Sequence, residues 1–142
     1  MMKYSEDAIE AIVYLFEQAN GRELESYDLD VIKEHSLVGH DPSVISNYLV
    51  DVIQSDSSLA ESYRTAVYWA LSKRHDKGLI SFFIERLATE VSLNSQSVFQ
   101  LLIALDNLEE NVFSEERGGS YSSLDDDLNL CDAQLYLNKQ GS

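Results

Sequence analysis

The chain has few prolines and glycines, which interrupt helices, and few cysteines, whose disulfides stabilise small secreted proteins. It contains one cysteine, one proline and six glycines in 142 residues. Because Cys131 stands alone, no internal disulfide can form, and this predicts a reducing compartment. With Pro42 as the only proline, we expect long uninterrupted helices. A chain of this length can bury enough surface to fold without a disulfide or a structural metal.

Positive charge and long apolar runs are also scarce. Ten basic residues stand against 25 acidic ones, giving a net charge of −15. A surface this negative repels nucleic acid and anionic lipid and attracts a basic protein. No apolar run reaches the roughly 20 residues of a membrane span, and the first residues do not resemble a secretory signal. We therefore expect a cytoplasmic monomer that binds neither nucleic acid nor membrane. Acidity that only maintains solubility is the alternative explanation.

Apolar residues recur with helical spacing along the whole chain. This pattern predicts an all-α fold of six to seven antiparallel helices in a single domain, residues 1–142. Ser5, Asp41-Pro42 and Asp76 are the clearest helix-start signals. The last predicted helix, about residues 124–138, places Leu128, Cys131 and Leu135 on one apolar face. The one stretch that is typical of an open loop is residues 114–123.

A repeat connects three of the predicted helices. The segment that begins at Asp41 aligns with the segment that begins at Asp76 at an offset of 35 residues, and the Ser5 segment precedes the Asp41 segment by 36. A period in this range, built from two helices per unit, is typical of an α-solenoid. The alignment predicts that Ile45 and Ile80 occupy equivalent core positions. An irregular helical bundle is the alternative.

One predicted helix carries a more specific resemblance. Residues 63–71, Tyr-Arg-Thr-Ala-Val-Tyr-Trp-Ala-Leu, resemble the second helix of HEAT-type repeats, with an arginine ahead of small residues spaced Ala-x-x-x-Ala-Leu. The resemblance implies a short HEAT-like stack of helix pairs. It implies nothing about function.

The motifs that usually carry chemistry are missing. There is no glycine-rich phosphate loop and no Gly-x-Ser-x-Gly nucleophile turn. None of the three histidines has a His or Cys four residues away, as a helical zinc pair requires. The run Asp125-Asp126-Asp127 lacks the spacing of a calcium loop and is better interpreted as a solvated helix start. We interpret Cys131 as a buried apolar side chain. The sequence thus predicts a protein that is not an enzyme, with no catalytic residue, cofactor or metal.

In the absence of catalytic motifs, surface charge and aromatic residues are the features that indicate where a partner binds. Residues 106–132 hold nine acids against one base, Arg117, and a second acidic stretch surrounds Tyr27. At about 100° per residue, Tyr68 and Trp69 point away from the apolar stripe of their helix, although Trp69 could pack on a neighbouring helix. The predicted partner-binding residues are Tyr27, Asp28, Asp30, Tyr68, Glu109, Glu110, Glu115, Glu116, Asp125, Asp126 and Asp127.

In its size, predicted helical content, acidity and lack of catalytic motifs, the chain resembles the small all-helical immunity proteins of contact-dependent inhibition and related polymorphic-toxin systems. The resemblance implies a cognate protein toxin as partner, and a basic nuclease domain suits an acidic inhibitor. A HEAT-like adaptor or scaffold that binds a peptide or protein is the main alternative. A small helical enzyme or ligand carrier is a third.

Overall fold

The computed structural model describes residues 3–141, and it confirms the all-α prediction. Helical residues make up 68% of the chain, and there is no strand between residues 3 and 141. The α-helices are α1 Ile9–Ala19, α2 Ser26–Glu34, α3 Pro42–Ser55, α4 Glu61–Ser72, α5 Ile80–Ser92, α6 Ser97–Asn107 and α7 Asp126–Gln140. Short 3-10 turns lie at Glu6–Ala8, Lys77–Leu79 and Glu115–Arg117. None of the helices in this range has the length and apolar character that crossing a bilayer requires.

The predicted start signals cap helices as expected. The Ser5 side chain accepts a hydrogen bond from the Ala8 backbone N–H, and Asp76 accepts one from Gly78 N–H at 2.9 Å. Each of these caps begins a 3-10 turn that continues into a long helix. Asp41 accepts from Ser43 N–H at 2.8 Å, ahead of α3. Side-chain oxygens at these positions satisfy backbone donors that have no partner within the helix.

The chain divides into two compact units, Met1–His75 and Asp76–Ser142. In the first unit α1 packs against α2, α3 and α4, and its buried residues lie on almost every side of the helix. In the second unit α5, α6 and α7 contact one another pairwise, around Phe83, Leu87, Leu101, Leu102 and Leu105. A single domain and solenoid stacking both stay predictions.

Buried positions in the second unit are shifted by one residue from those that the 35-residue repeat predicts from α3. In α3 the buried apolar residues are Ile45, Leu49 and Ile53, whereas α5 and the turn before it bury Leu79, Phe82, Phe83 and Leu87. Leu79, Phe83 and Leu87 each come one residue before the position that the 35-residue offset predicts. Ile80 is accordingly half-buried, although Ile45 is fully buried. One residue is about 100° of helix rotation, so α3 and α5 turn different faces inward.

Two predictions about buried faces are wrong. Tyr68 is completely buried, because α4 packs against both α1 and α3 and is covered on more than one side. In α7 the predicted inner residues are exposed: Leu128 is 50% and Leu135 54% accessible, and Cys131 is exposed. The buried residues of α7 are instead Asn129, Asp132, Ala133 and Tyr136.

Candidate partner-binding surfaces

The predicted binding residues lie on two surfaces, one in each unit. Tyr27 and Asp30 are exposed on α2 in the first unit. The acids from Glu109 to Asp127 lie on the second unit, in the segment that joins α6 to α7 and in the first turn of α7. Tyr68 is buried and belongs to neither surface.

The segment between α6 and α7 is more ordered than the predicted open loop. The Ser114 hydroxyl accepts from Glu116 N–H at 3.2 Å and begins the 3-10 turn Glu115–Arg117. Gly118, with φ 62°, ends this turn in the left-handed region, which glycine enters without steric cost. The rings of Phe113 and Tyr121 stack at 3.9 Å between centroids. The segment is therefore a folded cap on the second unit.

Arg117 connects this cap to α7. Its side chain is only 3% exposed, and Nη1 donates to Asn129 Oδ1 at 2.8 Å and to Asp132 Oδ2 at 3.0 Å. The guanidinium also lies 5.3 Å from the Phe113 ring centroid and 5.4 Å from that of Tyr121. Buried polar groups are tolerated when they are paired and hydrogen-bonded. This network is the reason that α7 turns its Asn129 and Asp132 side inward and its leucines outward.

Tyr136 makes a second polar contact between α7 and the cap. Its hydroxyl donates to Glu110 Oε1 at 2.6 Å, and the ring is buried. Burial, together with the hydrogen bond to Glu110 and the negative charge there, raises the pKa of Tyr136 above the ordinary value of a phenol. Glu110 is half-buried and serves as an internal acceptor, so it is less accessible than the other predicted partner-binding acids of this stretch.

The exposed charge of residues 106–132 is almost entirely negative. Arg117, the only base of the stretch, is buried against Asp132. The exposed acids are Asp106, Glu109, Glu115, Glu116, Asp125, Asp126 and Asp127. Lys77 approaches Glu109 at 3.3 Å, but both side chains are largely exposed, so water screens the pair. The stretch therefore presents seven acids and none of its own positive charge to a partner.

A groove runs along the junction between the cap and α7. It encloses about 390 Å³, and its lining includes Glu115, Glu116, Leu135 and Lys139. Acidic side chains of the cap and an exposed leucine of α7 therefore border the same depression. Among residues 3–141, no three His, Cys, Asp or Glu side chains converge in the way that metal ligands do.

The first unit carries a smaller surface, built around one carboxylate. Tyr14 donates its hydroxyl to Glu10 Oε2 at 2.9 Å, and the Tyr27 hydroxyl lies 3.5 Å from the same oxygen. The two rings meet edge to face at 6.4 Å. Burial, then the hydrogen bond to Glu10 and its negative charge, raise the pKa of Tyr14 to about 12. Tyr27 is 62% exposed, so its ring is available to a partner.

Asp28 is not available to a partner, contrary to the sequence prediction. It is buried, and its Oδ2 accepts from Glu25 N–H at 3.1 Å and from Arg22 Nη2 at 3.0 Å. The Glu25 side chain in turn accepts a hydrogen bond from the Asp28 backbone N–H. The two hydrogen bonds form a capping box that begins α2. Its role is structural, whereas Asp30, on the same helix, is exposed.

Two features of these surfaces escaped the sequence analysis: the burial of Arg117 and the outward leucines of α7. The signal for both was present in the composition of α7, because Asn129, Asp132 and Tyr136 alternate with its leucines at helical spacing. No protein-family profile, curated protein or solved structure matches the chain, so its surfaces are interpreted through their own chemistry.

Proposed function

We propose that the chain is an immunity protein that binds a cognate bacterial toxin domain, a basic nuclease, and neutralises it through the acidic surface of residues 106–127. The observation that carries this proposal is the separation of charge in that stretch. Its single base is buried, whereas seven of its acids face solvent. The surface is thus strongly negative, although Asp125 is paired to Arg117, at 3.7 Å, and Glu109 is paired to the exposed Lys77.

A nuclease binds its substrate through a groove of positive charge, because every nucleotide adds a phosphate. An acidic protein surface that occupies such a groove excludes nucleic acid by competing for the same cations. Opposite charges also draw the two proteins together before contact and raise the association rate. The inhibitor needs no chemistry of its own for this mechanism.

Order in the cap favours tight binding. The 3-10 turn Glu115–Arg117, begun by Ser114 and flanked by the stacked rings of Phe113 and Tyr121, orders the backbone that carries Glu115 and Glu116. A surface that is already ordered loses less conformational entropy when a partner binds. Tyr27 in the first unit is a further candidate contact, since exposed tyrosines are enriched among the residues that dominate interface energies.

The test uses the catalytic domain of a basic nuclease toxin encoded by a gene next to the one for this chain, which is where the proposal expects the cognate toxin. We expect a stable complex that lacks nuclease activity and an association rate that falls steeply between low and physiological salt, where screening acts beyond about 8–10 Å. The variant E115Q/E116Q/D127N should associate more slowly than the original chain. The control D7N/D51N/E85Q removes the same number of exposed acids elsewhere and should retain most of the rate.

Two results would contradict the proposal. An association rate that does not respond to salt would exclude electrostatic attraction as the mechanism. A chain that leaves the neighbouring toxin domain active, and instead retains a helical peptide from another protein, would favour the adaptor alternative.

A further inference from the structure

An apolar stripe runs along the solvent side of α7 and the turn before it. Its members are Leu124, 87% exposed, Leu128, 50% exposed, Cys131 and Leu135, 54% exposed. Within α7, Leu128, Cys131 and Leu135 follow one another at intervals of three and four residues, the spacing of a coiled-coil seam. Isolated exposed leucines are ordinary, whereas an aligned set on one helix face indicates an interaction surface.

The stripe cannot be removed from solvent by rotating α7. The opposite side of the helix is held by Arg117 through Asn129 and Asp132, and by Glu110 through Tyr136. Turning the leucines inward would expose Tyr136 and separate these pairs. The outward orientation of the stripe is therefore a property of the packed unit.

Acidic side chains border the stripe on both sides. Asp127 is exposed and lies one helical turn from Cys131, since residues four apart are neighbours on a helix surface. On the other side, Glu115 and Glu116 line the groove that Leu135 and Lys139 also border. The surface thus combines an apolar seam with margins in which three acids outnumber one lysine.

We infer that the α7 stripe is the docking site for a basic amphipathic helix of the protein partner. This rests on the proposed function in that the partner is a basic protein, and it assigns the contact to one helix face. Leucine-type side chains of the docked helix would cover Leu128, Cys131 and Leu135, and its flanking lysines or arginines would reach Asp127, Glu115 and Glu116. Helices that bind in this way present apolar residues at intervals of three and four.

A second copy of the chain is a poorer occupant, because in a symmetric dimer the same patch faces itself. Each copy has a net charge of −15, and like-charged margins would be brought into contact. A basic helix instead matches both the apolar seam and its acidic margins.

The test uses three synthetic peptides of about 18 residues, long enough for roughly five helical turns. The first has a leucine seam with lysine flanks, the second has the same seam with glutamine flanks, and the third has the composition of the first in scrambled order. Binding is measured by fluorescence anisotropy. Protection of the only thiol, Cys131, from a disulfide reagent reports binding at the stripe itself.

We expect the lysine-flanked peptide to bind most tightly and to protect Cys131. In L128Q/L135Q its Kd should rise at least about tenfold, which corresponds to about 1.4 kcal/mol, because both leucines lose the apolar contact that the docked helix would make with them. The control L29Q/L93Q replaces two leucines of similar exposure, 48% and 58%, and should bind normally. E115Q/E116Q should weaken the lysine-flanked peptide and leave the glutamine-flanked one unchanged.

Equal binding of the first and third peptides, or unchanged binding by L128Q/L135Q, would overturn the inference. So would self-association of the original chain in sedimentation that disappears in L128Q/L135Q, because a second copy would then cover the stripe. Binding of the toxin domain distinguishes failure of this inference from failure of the proposed function. If neither the original chain nor any variant binds the toxin but the lysine-flanked peptide protects Cys131, the proposed function fails and the docking site stands. If L128Q/L135Q binds the toxin as tightly as the original chain, the proposed function stands and the docking site is overturned.

Discussion

At the scale of the residue, Arg117 organises the second unit. It neutralises the buried Asp132, satisfies Asn129 and fills the space beside two aromatic rings. Its charge is unusual in its surroundings, since it is the only base among nine acids in residues 106–132, where it pairs with Asp132 and, at 3.7 Å, with Asp125. One buried cation thus gives the cap its structure and leaves the surface acidic.

Replacing Arg117 with methionine tests this role. The apolar stem is retained, but Asp132 is left buried without its partner, so we expect a loss of about 3–5 kcal/mol in the free energy of unfolding. Asp132→Asn in the same background should restore part of the loss. Urea unfolding provides the measurement, and K77M, which breaks only the exposed contact with Glu109, is the control. A loss below about 1 kcal/mol in R117M would show that the network is not required.

Cys131 behaves differently in the structure from the buried thiol that its helical pattern predicts. Because the side chain is exposed, we expect it to react with a disulfide reagent in the native protein about as fast as in urea. Cys131→Ser should change the free energy of unfolding by less than about 0.5 kcal/mol, as surface substitutions usually do. Strong protection of the thiol in the free monomer would contradict the exposed position.

Three tyrosines make stability depend on alkaline pH. The pKa values of Tyr14, Tyr63 and Tyr136 are all raised in the folded chain, mainly by burial. Between pH 10, the ordinary phenol pKa, and about 12, the folded pKa of Tyr14, the unfolded chain therefore releases phenolic protons that the folded chain retains. The stabilisation that the three protonated tyrosines contribute is fully present below this window and is lost as pH rises through it. Urea midpoints at several pH values should fall across the window, and Y14F and Y136F should each flatten the decline.

At the scale of the element, α2 separates structural acids from surface acids. Asp28 caps the helix and pairs with Arg22, whereas Asp30, two residues later, is exposed. Asp28→Ala, which removes the acceptor, should lower the free energy of unfolding by about 1–2 kcal/mol, the usual range for loss of a helix cap. D30A provides the matched control and should not lower it. Equal stabilities of the two variants would show that the capping box contributes nothing.

Helix starts and most buried helix faces were well predicted, whereas the inward face of α7 and the burial of Tyr68 and Ile80 were not. Ser5, Asp41 and Asp76 all cap as the sequence indicates, because a cap depends on groups only two or three residues away. The inward side of a helix depends on what it packs against. Tyr68 is buried because α4 has neighbours on two sides, and Ile80 is half-buried because α5 is rotated by one residue relative to the repeat alignment.

At the scale of the whole molecule, the net charge of −15 sets how stability responds to salt. Acids that repel one another in the folded chain are further apart when it unfolds, and salt screens that repulsion. Raising sodium chloride from about 0.02 to about 0.3 M, which shortens the screening length severalfold, should raise the urea midpoint. E115Q/E116Q/D127N should show a smaller rise because part of the repulsion is already removed. A midpoint that falls with salt would indicate that ion pairs outweigh repulsion.

Among the candidate binding residues, most of the acids predicted from charge are exposed, whereas Tyr68, predicted from helix geometry, is buried. Glu109, Glu115, Glu116, Asp125, Asp126 and Asp127 are all exposed, as carboxylates normally are. Asp28 and Glu110 are exceptions because each has acquired an internal donor, Arg22 or Tyr136. Whether the exposed acids bind a toxin stays a prediction.

The sequence by itself determined the helical class, the capped starts of the helices and the acidic character of the surface. Each depends on composition or on residues close in the chain. Tertiary structure decided which side of α7 is buried. The apolar pattern favoured Leu128, Cys131 and Leu135, but Arg117 and Glu110 supply partners that allow Asn129, Asp132 and Tyr136 to be buried instead. A polar side chain can enter the core when a partner satisfies it, and that partner comes from another part of the chain.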